Sequence, residues 1–109
     1  WFSFVFEQIL SNALKYTPSD GTIKIYMKNE KSLCISDTGI GIDEADLPRI
    51  FEKGYTGANG RTDMRASGIG LYLCRCITDM LGITLTAVSE LGKGSVFMLD
   101  LTESKIRHE

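Results

Sequence analysis

Three short stretches of the 109-residue chain hold residue types at spacings that suit a planar or phosphorylated ligand. In Ser36-Asp37-Thr38-Gly39-Ile40-Gly41-Ile42, one acidic side chain precedes two glycines within five residues. Gly39 and Gly41 permit positive φ and carry no Cβ, so the main chain can turn sharply and press against a flat or anionic group. Asp37 can then hydrogen-bond the rim of a planar molecule. The plain alternative is a strand that ends in an Asx-turn. Asn12 and Lys15 offer a neutral oxygen and a positive point charge on one helical stripe. Magnesium accepts an amide oxygen while keeping water and phosphate ligands, and lysine suits phosphate oxygens, so the pair predicts a magnesium-phosphate edge; a solvated helix face is the alternative. Gly68-Ile69-Gly70 places backbone N–H groups at a helix start, where the dipole favours an anion.

Other chemistries fail on spacing. The dinucleotide fingerprint breaks at Leu73, where a third glycine is wanted, and Gly92-Lys93-Gly94-Ser95 lacks both the Gly-Lys-Ser run and the following helix of a P-loop. Glu7 lies five positions from Asn12, about 140° around the helix, and reads as a solvated carboxylate. His108 is the only histidine and sits in a polar tail, so a nucleophilic triad has no placed base. Cys34, Cys74 and Cys76 have no metal-type spacing; Cys74 and Cys76, two apart on a helix, point to nearly opposite sides, as buried or idle reduced thiols would in cytosol. The Asp-Thr-Gly tripeptide also matches aspartic proteases, where a half-enzyme pairs two such aspartates in a dimer, but that fold needs a mostly β chain.

The elements that must position these residues are readable. Phe2 to Tyr16 forms a helix with Phe2, Val5, Phe6, Ile9, Leu10, Ala13 and Leu14 as its core face and Gln8, Asn12 and Lys15 as a polar stripe beside it. Thr17-Pro18-Ser19-Asp20-Gly21 stops it. Thr22 to Asn29 and Leu33 to Asp37 make a hairpin, and Asp43 caps a short helix through Leu47-Pro48-Arg49-Ile50-Phe51. Lys53 to Ser67, with Gly54, Gly57, Gly60, Arg61 and Arg65, has the composition of a mobile loop. A second long helix follows, with Ile69, Tyr72, Leu73, Cys76, Ile77 and Met80 as its buried stripe and Gly82 as its stop. Ile83 to Ser89 and Ser95 to Leu101 close the domain as another hairpin.

A chain of this length with 43% hydrophobic residues builds one small core. Net charge −2 argues against a nucleic-acid partner, and no apolar run is long enough to insert into a membrane. The start at Trp1 without methionine predicts a piece of a longer protein. Residues 1–101 read as the domain and 102–109 as a polar tail.

Four stretches in order resemble the boxes of sensor histidine kinases. Gln8-Ile9-Leu10-Ser11-Asn12-Ala13-Leu14-Lys15-Tyr16 is similar to the N box and Asp37-Thr38-Gly39-Ile40-Gly41-Ile42 to the G1 box. Ile50-Phe51-Glu52-Lys53-Gly54-Tyr55-Thr56-Gly57 is similar to the F box and Ser67-Gly68-Ile69-Gly70-Leu71-Tyr72-Leu73 to the G2 box, with Gly92-Lys93-Gly94-Ser95-Val96-Phe97 as the closing glycine hairpin. The resemblance implies the ATP-binding catalytic domain of the GHKL superfamily. Its Bergerat fold is α+β, a two-layer α/β sandwich of a mixed β-sheet with helices on one face, here without the strand that precedes the first helix in relatives. The F-box form, with Asn59-Gly60-Arg61 after it, resembles the intramembrane-sensing kinases of the peptide-antibiotic response.

What the resemblance implies for the site follows residue by residue. Asp37 accepts a hydrogen bond from the adenine amino group, Asn12 holds magnesium, and Lys15 and Tyr16 approach the phosphates. Gly39, Gly41, Ile42, Lys53, Tyr55, Thr56, Gly57, Ser67, Gly68, Ile69, Gly70, Leu71 and Ser95 complete the nucleotide contacts, with Lys53 to Ser67 as a lid. Gln8 replaces the usual first Asn of the N box, and relatives that hydrolyse ATP often carry an acid there. Thr56 replaces a frequent Arg, so a phosphate contact is lost or moves to Arg61 or Arg65. Neither Glu7 nor Gln8 is assigned as catalytic. The implied activity is transfer of the γ-phosphate of Mg-ATP to a histidine on a dimerisation domain outside these residues, for relay to a response regulator. The implied setting is the cytoplasmic side of a bacterial inner-membrane protein. A GHKL ATPase or binding module without kinase output is the alternative.

Overall fold

Phe2–Tyr16 forms helix α1, with the bounds that the apolar period and the Thr17-Pro18 stop predict. The computed structural model describes residues 1–55 and 69–102. Strands β1 (Ile23–Asn29) and β2 (Ser32–Asp37) follow as a hairpin, in which Asn29 Oδ1 accepts from the Lys31 amide at 2.8 Å. Helix α2 spans Gly70–Leu81, and strands β3 (Thr84–Glu90) and β4 (Gly94–Asp100) make the second hairpin. Gly82 ends α2 at φ 75°, and the Ile83 amide reaches back to the Thr78 carbonyl at 2.8 Å, as in a Schellman stop.

The sheet runs in the order β1-β2-β4-β3, and every pairing among the described residues is antiparallel. The expected two-layer α/β sandwich is present, and among the described residues its sheet is antiparallel where a mixed one was expected. The helix-containing crossover gives β2 and β3 the same direction, and β4 folds back between them to take hydrogen bonds from both. No parallel pair forms among the described residues. β1 is left as an edge, with Ile25, Tyr26 and Met27 exposed between Lys24 and Lys28.

Register assigns the core. Leu33 and Ile35, Leu99 and Phe97, and Leu85 and Ala87 share one face, and Val5, Ile9 and Ala13 of α1 with Cys74 and Ile77 of α2 pack on it. Leu14, expected in the core, is 62% exposed, because it sits at the rim of a wide apolar arc. The buried side of α2 is turned by about one residue from the expected stripe. Cys74, Ile77 and Thr78 are buried, whereas Cys76, Leu73 and Met80 are exposed. Eight of the twelve positions of this helix are apolar and spread around it, so the period alone does not single out a face.

Phe51 anchors the segment between the hairpins. Its ring meets Phe97 edge-on at 6.3 Å, and the Arg75 guanidinium lies 4.1 Å over its face while donating to the Leu85 carbonyl at 2.9 Å. Before it, Asp43 holds a turn and does not cap a helix: its carboxylate accepts from Ala45 and its carbonyl from Asp46 and Leu47. Leu47–Arg49 then forms one 3-10 turn around Pro48.

The two thiols of α2 separate as their spacing predicts. Burial pushes the Cys74 thiol up to about 11, while Cys76 is exposed. Only thiolate reacts and Cys74 is fully buried, so at pH 8 a thiol reagent is expected to label Cys76 rapidly and Cys74 only on unfolding. Mass spectrometry of labelled peptides reads this directly. Comparable labelling of both at pH 8 would refute the assigned face of α2.

Candidate functional site

Along the inward face, each of three adjacent strands trades an apolar series for a polar residue at the same end. β2 goes from Leu33 and Ile35 to Asp37, β4 from Leu99 and Phe97 to Ser95, and β3 from Leu85 and Ala87 to Ser89. Asp37 and Ser95 are buried, at 8% and 7% exposure. A polar row there lies where the core would otherwise continue, which is costly unless the row is bonded. Asp37 Oδ1 accepts from the Gly39 amide at 2.8 Å, the Asx-turn named above as the plain alternative. That bond occupies one oxygen and leaves the carboxylate further acceptor capacity.

The glycine loop after Asp37 is held by three other backbones. A Cβ on Gly39 would meet the Tyr16 carbonyl, one on Gly41 the Glu90 carbonyl, and one on Gly94 the Asp37 carbonyl. Gly41 and Gly94 also have φ of 75° and 126°, which L side chains disfavour. Ile40 donates to Tyr16 at 3.2 Å, and Gly92 donates to Ile40 at 2.7 Å. Ile42 donates to Ser89 Oγ at 2.7 Å. Thr38 is tied to the start of β1, with its hydroxyl accepting from the Thr22 amide at 2.8 Å.

Helix α1 links this loop to the start of α2. Its C-terminal residue Tyr16 touches Gly39, and a Cβ on Gly70 would lie 2.6 Å from Gln8 Oε1. Gln8, Asn12 and Tyr16, all half-buried, thus run between the two glycine stretches, with Lys15 exposed. Eight residues of helix cover about 12 Å, a span suited to an extended ligand. Ile69 precedes Gly70 without a side-chain cap on α2, and its carbonyl accepts from Leu73 at 2.8 Å. Leu71 packs on the core.

Other expected contacts are placed differently. The Tyr55 hydroxyl bonds Asp46, which raises its pKa, and the Arg49 guanidinium lies 4.4 Å over its ring. Lys53 is exposed, 5.9 Å from the Tyr72 ring centre. Glu7 is exposed, as its position on the helix predicts. Thr56, Gly57, Ser67 and Gly68, most of the expected lid and His108 lie outside the described residues. Among the described residues, no three His, Cys, Asp or Glu side chains converge to hold a metal. Asn12 as a lone neutral oxygen suits a magnesium ion that keeps water and phosphate ligands and does not suit an all-protein cage. A cavity of about 530 Å³ between the 3-10 turn, Phe51, Arg75 and β3 is lined by none of the expected site residues.

Sequence reasoning missed Ser89, Thr22 and Thr38. For Ser89 the signal was present, a polar residue continuing the inward period of Leu85 and Ala87.

Comparison with known proteins agrees with the geometry. The family described as "Histidine kinase-, DNA gyrase B-, and HSP90-like ATPase" matches residues 1–105. The chain is 44% identical over 101 residues to the sensor histidine kinase GraS of Staphylococcus haemolyticus, covering 91% of this chain and 29% of that protein. It is 42% identical over 101 residues to the sensor protein BceS of Bacillus subtilis, covering 91% and 30%. The chain therefore spans under a third of the length of either. Among solved structures, the mycobacterial sensor histidine kinase MprB superposes with TM-score 0.72 at 24% identity, over 88% of this chain and 68% of that one. The catalytic domain of histidine kinase ThkA superposes with TM-score 0.70 at 26% identity, over 93% and 65%.

The close backbone contacts make a graded prediction. Gly92 has φ 83° but open space where a Cβ would go, so Gly92→Ala should cost about 1–2 kcal/mol from backbone strain alone. Gly94→Ala must also displace the Asp37 carbonyl and should cost clearly more. Equal losses in urea unfolding would show that this contact constrains nothing.

Proposed function

Since the chain belongs to the histidine kinase-, DNA gyrase B-, and HSP90-like ATPase family, we propose that it is the ATP-binding catalytic domain of a sensor histidine kinase. The observation that carries this reading is the buried Asp37 carboxylate at the polar end of the inner sheet face, beside the glycine loop and α1. A carboxylate accepts from the amino group of adenine, whereas guanine presents an acceptor oxygen at that edge and is repelled. Gly39, Gly41, Ile42 and Ser95 line the base end. Lys15, Tyr16 and the Ile69, Gly70 and Leu71 helix start serve the phosphates, with Thr56, Gly57, Ser67, Gly68 and Lys53 assigned there by the boxes they match. Tyr55 would have to exchange its Asp46 bond to join them.

Asn12 would hold magnesium, which when bound neutralises charge on the phosphate oxygens. This chain's own residues orient the nucleotide and place its phosphates toward α2. The acceptor of the γ-phosphate is a histidine on a helical dimerisation domain of the same kinase, and the phosphoryl group then passes to a response regulator. Similarity to GraS and BceS, together with the F-box form, supports a parent of the peptide-antibiotic-response type. The parent is bacterial and held in the inner membrane, with this domain on its cytoplasmic face; none of the described helices is long and apolar enough to cross a membrane.

Gln8 argues against the hydrolytic branch of the family. It stands where hydrolytic relatives often carry an acid, and its amide is turned toward Gly70, while Glu7 is exposed. Neither provides a carboxylate base for water.

Two measurements test the proposal. In Asp37→Asn the amide presents a donor to a donor, so ATP affinity should fall by about five-fold or more, in line with about 1–3 kcal/mol for an unmatched polar group; unchanged affinity by calorimetry would remove Asp37 from the base site. With radiolabelled ATP, acid-labile label should appear on the separately supplied dimerisation domain and not on this chain. Labelling of the chain alone, lost in His108→Ala, would overturn the division of labour, and hydrolysis without transfer would favour an ATPase.

A further inference from the structure

The hydroxyl of Ser89 touches both the glycine loop and the turn that supports it. Its oxygen lies 2.7 Å from the Ile42 amide nitrogen, 2.9 Å from the Gly94 carbonyl and 2.8 Å from Ser95 Oγ. A hydroxyl has one hydrogen and two lone pairs. The Ile42 amide can only donate and the Gly94 carbonyl can only accept, so the Ser89 hydrogen goes to Gly94, and Ser95 must donate to Ser89. All three contacts are then satisfied at once. The Ser95 hydrogen is committed away from Asp37, its partner on the opposite strand, so Asp37 and Ser95 both offer lone pairs to anything that binds beside them.

We propose that Ser89 is a positioning residue for nucleotide recognition: without touching the ligand, it clamps the glycine loop at Ile42 and turns Ser95 into an acceptor, so that Asp37 and Ser95 together present acceptors at the base end of the site. The ligand edge that fits is one that donates, such as an exocyclic amino group. Register reinforces the assignment, because Ser89 opposes Ser95 and Ser95 opposes Asp37 in one row across three strands. The inference rests on the nucleotide reading above. Its clamp, however, is a property of the protein without ligand.

The test uses the whole chain with Ser89→Ala and Ser89→Thr, following amide hydrogen exchange without nucleotide and ATP and ADP affinity by calorimetry well below each variant's melting temperature. In Ser89→Ala, exchange at the Ile42 amide should rise, and affinity for ATP and ADP should fall by the same factor, roughly 3- to 10-fold for one hydrogen bond. Ser89→Thr keeps the hydroxyl and should restore both. Unchanged Ile42 exchange in Ser89→Ala would overturn the clamp. Raised exchange with unchanged affinity, a loss confined to ATP, or failure of threonine to rescue would overturn the positioning role. If the unaltered chain bound neither nucleotide, the nucleotide reading itself would fall, and the exchange result would still decide the clamp.

Discussion

The site depends on backbones meeting where no side chain separates them. Gly39 lies against the Tyr16 carbonyl, Gly41 against Glu90 and Gly94 against Asp37, so the end of α1, the loop after β2 and the β3–β4 turn are locked together at one corner. Glycine is commonly associated with looseness. Here it has the opposite effect, because the missing Cβ allows amide and carbonyl groups from distant parts of the chain to come within hydrogen-bonding reach. The orientation of the Asp37 carboxylate follows from that packing.

Helix α1 joins stability to recognition. Val5, Ile9 and Ala13 are buried against the sheet, while Gln8, Asn12 and Tyr16 pass between the two glycine stretches. The same division runs across the sheet, whose inner face is apolar for most of its length and polar at one end. A domain this small has few interior positions, and giving three of them to Asp37, Ser95 and Ser89 removes apolar burial that the fold could otherwise use. The Ser89–Ser95 hydrogen bond and the bonds these residues make to the Gly39, Ile42 and Gly94 backbone offset part of that loss.

Much of this arrangement was legible in the sequence, for identifiable reasons. The bounds of α1 could be read because a clear period meets a hard stop at Pro18, and the four boxes in order pointed to the family that matches. The α2 face could not, since Leu71, Leu73, Cys74, Cys76, Ile77 and Met80 leave little polar contrast, and packing against α1 and the sheet chose the side. The antiparallel sheet was hidden because strand order depends on which hairpin inserts where, a tertiary choice that local pattern does not encode. Ser89 was overlooked for a simpler reason: serine near a turn is unremarkable until register shows which strand it faces. Thr56 to Ser67 match their boxes in sequence only.

The exposed edge of β1 has a further consequence for how the domain behaves in concentrated solution. Ile25, Tyr26 and Met27 present an apolar ribbon beside strand hydrogen-bonding groups that pair with no other strand among the described residues, a template on which a second molecule could stack. Lys24 and Lys28 flank that ribbon, so two copies approaching edge to edge bring like charges together. Such repulsion is electrostatic and weakens with ionic strength. The colloidal behaviour of the domain is therefore coupled to salt through two lysines of the β1 edge, and dilute, low-salt buffer favours the monomer.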